Sequence, residues 1–165
     1  MSGTALVGIV VGSESDLAVM SKCADELEKT YGIASETGVM SAHRAGDVVR
    51  SYAHQARDRG LRVLVAGAGA AAHLPGVLAS LTTLPVIGVP LAATPLAGFD
   101  ALLSIVQMPP GIPVATVAVG DMGARNAAHL AAEIIALSNP EVATRLEQHR
   151  ARMRETAKPP EGFVP

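Results

Sequence analysis

The chain of 165 residues has one cysteine, no tryptophan, two tyrosines and two phenylalanines. Each scarcity excludes something. A lone Cys23 has no partner for an intrachain disulfide, which suits a reducing cytosol. It falls within a helical pattern and reads as a small core filler rather than a reactive thiol. Few aromatics leave little on which bases could stack. Net charge is −2 with no basic cluster, so nucleic acid is not an expected partner. Charge itself is sparse, at 17% of residues, and from Val63 to Gly120 only Asp100 is formally charged. That stretch is no membrane span, because Pro75, Pro85, Pro90, Pro95, Pro109, Pro110 and Pro113 cut it into short pieces. The opening "MSGTALVGIVVG" lacks a basic n-region and reads as a first strand, not a signal peptide. A chargeless segment this long exceeds what one small core hides, so part of it is expected against other subunits.

What is present alternates between two periodicities. Leu6–Val11 is a continuous apolar run, read as a strand covered on both faces, and Ala34–Met40, Val63–Ala66, Pro85–Val89 and Pro113–Val119 are read as further strands. Between them, Leu17–Tyr31, Asp47–Arg59, Val77–Leu81, Phe99–Val106 and Ala124–Leu137 carry helical spacing, with Gly32 and Gly60 as stops. Asn139-Pro140 reads as an N-cap opening a last helix. The expected architecture is a three-layer α/β/α sandwich around a doubly wound parallel sheet, flavodoxin-like, plus that C-terminal helix. It forms one domain over residues 1–158, with the last helix from about 139 and a frayed tail at 159–165.

In such sheets ligands bind beyond the carboxyl ends of the strands. Three polar clusters follow strands one, two and three: "GSESD" at Gly12, "SAHR" at Ser41 and "GAGAAAHLPG" at Gly67. They are expected to meet at one sheet edge. In the first, Ser13, Ser15 and Asp16 could cap a helix or hold phosphate and sugar hydroxyls, with Asp16 better suited to ribose. In the second, Arg44 fits an anion, beside His43. The third matches the loose G-x-G-x-x-G/A dinucleotide pattern. It follows the wrong strand and has no acid before Asp100, so nicotinamide binding is rejected. Its small residues let a flat ligand approach the backbone. His73 is either a structural histidine or a general base whose apolar setting disfavours the charged ring. His54, His129 and His149 lie in helical segments and read as surface or packing residues. No H-x-x-x-H or C-x-x-C spacing suggests a metal.

At these residues the chain resembles the PurE family of purine-biosynthesis enzymes. The matching stretches are "GSESD", "SAHR", "AGAGAAAHLPG" from Ala66, "LPVIGVP" from Leu84, "DALLSIVQMPPGIPVATVAVG" from Asp100 and "NAAHLAAEIIAL" from Asn126. "SAHR" and "AAHLPG" are similar to its mutase branch. The branch that carboxylates aminoimidazole ribonucleotide directly with CO2 typically has lysine after the histidine. The resemblance implies a cytoplasmic, octameric isomerase without cofactor or metal. It would move a carboxylate from the exocyclic nitrogen to C4 of an imidazole ribonucleotide. His73 matches the family's catalytic histidine and His43 a second site histidine. Ser13 and Asp16 match substrate contacts, and Ser15, Ser41 and Arg44 phosphate contacts. Gly12, Ala42, Gly69, Ala70 and Leu74 complete the expected substrate site.

Some positions depart from the family pattern. Ala70 replaces a glycine, where any positive φ would be strained. Ala45-Gly46 replaces a threonine and proline that would start a helix. Leu91, Ala92 and Ala101 stand where polar side chains are common. These changes keep open a direct carboxylase, a side-pathway decarboxylase on the same fold, or a non-enzymatic nucleotide-binding module.

Overall fold

The computed structural model describes residues 4–158; the expected tail at 159–165 lies outside them. Five strands form one sheet: β1 (Val7–Val11), β2 (Ser35–Val39), β3 (Val63–Gly69), β4 (Val86–Leu91) and β5 (Ala115–Thr116). Their order is β2-β1-β3-β4-β5 and every pairing is parallel. This is the doubly wound arrangement expected, with its switch point between β1 and β3. Among the described residues, α1 (Leu17–Glu26), α2 (Gly46–Gln55), α3 (Leu74–Leu81), α4 (Phe99–Val106) and α5 (Gly120–Ala136) flank the sheet, and α6 (Pro140–Glu155) packs on α5.

The inner strands β1, β3 and β4 read as unbroken apolar runs because each face packs on its own core, whereas the edge strand β2 carries Ser35, Glu36 and Thr37 and is partly exposed. Val63 and Val65 point to the cluster with Met20, Cys23 and the alanines of α5. Leu64, Ala66 and Ala68 point to the other cluster, with Val49, Leu74, Leu78 and Ile105. α5 buries Ala124, Ala127, Ala128, Ala131 and Ala132, so small side chains set its close approach to the sheet. Burial pushes the Cys23 thiol up to about 12, with Glu26 adding to it, as befits a core filler.

Three boundaries differ from those read in the sequence. β3 does not end at Ala66; Gly67–Gly69 pair with Val89–Leu91. The glycines stay in the ladder because neighbours need their space: a Cβ on Gly67 would sit 2.7 Å from Met20 Cγ. β4 likewise runs through Pro90 to Leu91. Gly88 O accepts from Val117 N, so Gly88 and Pro90 face the β5 side, and β5 pairs no further than Gly88. Pro90 therefore lacks an N–H where no partner strand waits. β5 has two residues instead of the seven of Pro113–Val119, since an edge strand has one neighbour only.

α1 continues as a π-helical turn, Leu27–Tyr31, and stops at Gly32 with φ 65. Tyr31 then packs under α6. Its hydroxyl hydrogen-bonds with His129 Nδ1 at 2.6 Å, and the His129 and His149 rings stack with centroids 5.1 Å apart. Asn139 Oδ1 caps α6 by accepting from Glu141 N and Val142 N. Burial, chiefly, lowers the His129 pKa below its usual 6.5, opposed by Glu26 and aided by His149. The unfolded chain then binds more protons than the folded one just below that value, so this contribution is present above about pH 6.5 and lost as pH falls. The melting-temperature advantage of wild type over His129→Gln is therefore expected to shrink from pH 7.5 to pH 5.5. A constant difference across that range would refute the assignment.

Candidate active site

The three loops do meet at the carboxyl edge of the sheet. They enclose a cleft of ≈ 230 Å³ lined by Gly12, Ser13, Ser15 and Asp16 from the first loop. The second supplies Ser41, Ala42, His43 and Arg44, and the third Gly69, Ala70, His73 and Leu74. Every residue expected at the site thus lies on one cleft. Ala68, Ala71 and Ala93 line it too and were not foreseen. Ala93 had a readable signal, since it follows β4 at the same sheet edge.

Each loop is built locally. Ser13 opens a single 3-10 turn, Glu14–Asp16, and its Oγ accepts from Ser15 Oγ at 2.9 Å and from Ser15 N at 3.4 Å. Burial raises the Asp16 carboxyl above its ordinary 3.8, partly offset by the Ser15 hydroxyl and the Ser13 backbone. Ser41 O accepts from Ala45 N at 2.8 Å, turning the chain so that Arg44 Nη2 reaches Gly12 O at 2.8 Å. The guanidinium thereby links the first two loops and keeps four further N–H groups for an anion. α2 then begins at Gly46 without a capping side chain, as the loss of threonine and proline implied.

The third loop carries backbone strain. Ala70 has φ 52, the left-handed region that an alanine adopts at a cost of roughly 1–2 kcal/mol. Its carbonyl accepts from Ala72 N at 2.9 Å, and Ala71 O accepts from His73 N at 2.8 Å. These tight turns bring the chain from β3 into α3 in a few residues. Ala70→Gly relieves the strain but adds freedom to the unfolded chain, a net gain of about 0.5 kcal/mol. Urea denaturation is expected to show a higher midpoint for this variant; a lower one would mean that the methyl stabilises the loop.

His43 and His73 come together across the cleft. His43 Nε2 and His73 Nδ1 are 2.9 Å apart, with the rings nearly perpendicular at 88°. In the single chain His73 is exposed, although its sequence neighbours are apolar. It stands at the N-cap of α3, on the rim, and the alanines and glycines around it are too small to cover a ring.

Fold and cleft together define a doubly wound α/β protein with a polar cleft at the switch point, lined by an arginine, hydroxyls and a histidine pair. Comparison with known proteins narrows this. The model of the AIR carboxylase family matches residues 6–156, and the chain belongs to that family. It is 51% identical over 150 residues to the N5-carboxyaminoimidazole ribonucleotide mutase of Vibrio cholerae, covering 91% of this chain and 92% of that one. It is 52% identical over 153 residues to the mutase of the same name from Pseudomonas aeruginosa, covering 93% of each. Among solved structures, Treponema denticola PurE superimposes with a TM-score of 0.80 at 32% identity, over 90% of this chain and 91% of that one.

Proposed function

We infer that the chain converts N5-carboxyaminoimidazole ribonucleotide to its C4-carboxylated isomer, an intramolecular carboxylate transfer in purine biosynthesis. The observation that carries the reading is the His43–His73 contact of 2.9 Å in a cleft that Arg44 also lines. Half-identity to mutases over most of the chain supports it.

The chemistry sets modest demands. Breaking the N–carboxylate bond releases CO2 and leaves its electron pair on the exocyclic nitrogen, which takes a proton. The aminoimidazole is then an electron-rich enamine whose C4 attacks CO2, and C4 gives up its proton. Net, one proton moves from C4 to nitrogen, and no metal or redox group is called for. One side chain can carry that proton both ways. With His73 Nδ1–H donating to His43 Nε2, the tautomer of His73 is fixed and its Nε2 is left to the substrate. Protonated, Nε2 is the acid for nitrogen; bare, it is the base for C4. The His43 contact persists in both states, so no rearrangement separates the two steps.

Arg44 and the Ser15 and Ser41 hydroxyls suit the phosphate, Ser13 and Asp16 the ribose, and the small residues Gly69 and Ala70 the flat ring. Self-association fits the surface. Phe99, Leu103 and Val106 form an exposed stripe along α4, beside exposed Leu96, in the segment with one charge. A homo-octamer in the cytoplasm, as the resemblance implies, would cover it and enclose the rim at His73.

The reading is tested by incubating the protein with N5-carboxyaminoimidazole ribonucleotide in bicarbonate-free buffer and following the product by NMR. Formation of the C4-carboxylated isomer is expected. Activity only with aminoimidazole ribonucleotide and high CO2 would replace the mutase with a direct carboxylase.

A further inference from the structure

Asp100, the single charge between Val63 and Gly120, has no part in the reaction described above. It stands in the first turn of α4, and its Oδ2 accepts from Thr94 Oγ1 at 2.8 Å. Its Oδ1 is buried and has no hydrogen-bond partner among the described residues. A buried acceptor without a donor destabilises a fold, so a carboxylate kept here must gain something through its other oxygen.

That oxygen holds a loop. Thr94 Oγ1 also accepts from Leu96 N at 3.1 Å, so one hydroxyl closes its own turn and ties it to α4. The loop ends in two successive left-handed residues, Ala97 with φ 52 and Gly98 with φ 86. Such backbone persists only where its surroundings over-determine it. At its other end Ala93 lines the cleft and presses on β3: a Cβ on Gly69 would lie 2.6 Å from Ala93 Cβ. Gly69 leads directly into Ala70.

We propose that Asp100, acting through Thr94, is a positioning residue that holds Ala93 against Gly69 as the flat wall on which the substrate's ring lies. The identity of that ring rests on the reaction proposed above. The phosphate end is served by Arg44 and Ser41 on the opposite loop and is independent of this latch. An acid in the first turn also interacts with the helix dipole, and asparagine separates the two roles: it keeps an acceptor for Thr94 and removes the charge.

The full chain is compared as wild type, Asp100→Ala, Asp100→Asn, Thr94→Val, Thr94→Ser and the Asp100→Ala/Thr94→Val double variant. Steady-state turnover and calorimetric binding of aminoimidazole ribonucleotide and of ribose 5-phosphate are measured. Asp100→Ala and Thr94→Val are each expected to lower kcat/KM and aminoimidazole ribonucleotide affinity by about tenfold, and the double variant no further. Ribose 5-phosphate binding stays within about twofold, and Asp100→Asn and Thr94→Ser recover most of the loss. Additive losses, an Asp100→Asn as impaired as Asp100→Ala, or an equal loss of ribose 5-phosphate would overturn the proposal. Thr94→Val carries the test if Asp100→Ala does not fold. A wild type without turnover sinks the reaction reading alone, since the two binding series still read the latch.

Discussion

His73→Asn lowers kcat by about 10²–10⁴-fold while aminoimidazole ribonucleotide still binds within about threefold of wild type. Asparagine keeps a side chain of similar reach that cannot take up or release a proton near neutral pH. The cleft keeps Arg44 on Gly12 O and the hydroxyls of Ser13 and Ser15, none of which depends on the ring. His43→Asn gives a smaller fall, because it removes the acceptor on His73 Nδ1 and leaves the proton carrier. Steady-state rates with calorimetric affinities separate the outcomes. An unchanged kcat in His73→Asn would remove the proton-transfer role, and a collapse of binding would make the histidine structural.

Gly123→Ala is expected to destabilise the fold by roughly 3–5 kcal/mol. An added Cβ would lie 1.7 Å from Ala118 O and 2.7 Å from its carbonyl carbon. These are backbone atoms leading directly into α5, so no side chain can swing aside. Relief requires α5 to move off β4 and open the alanine seam. Gly46→Ala is the control, since nothing lies within 4 Å of its Cβ position, and it changes stability by less than about 0.5 kcal/mol. Urea denaturation of both variants measures the contrast. Equal midpoints would mean that the approach of α5 to Ala118 is looser than described.

Much of this was legible in the sequence. Runs such as Leu6–Val11 point to strands buried on both faces, and polar clusters just after three of them point to one sheet edge. Helix α4 was read at Phe99–Val106 and is found there. What was not legible depends on neighbours in space. Gly67–Gly69 look like a loop by propensity, yet Met20 and Ala93 occupy the room their missing side chains leave, and the ladder continues. Pro90 looks like a strand breaker, but it stands where β5 has already stopped pairing. The exposure of His73 in the single chain was not legible, because its apolar neighbours in sequence are too small to bury a ring. The His43–His73 contact needed two loops, 30 residues apart, to be placed side by side. Ala93 and the Asp100–Thr94 latch belong to the loop after β4, whose only polar side chain before α4 is one threonine.

The central claim is that one carboxylate migrates within the site while His73 returns the proton. Substrate carrying ¹³C in the N5-carboxyl group, turned over in excess unlabelled bicarbonate, tests it most directly. The account predicts that most of the product retains ¹³C at the C4 carboxylate, because CO2 is recaptured before it escapes. Product labelled only to the level of the bicarbonate pool would contradict it.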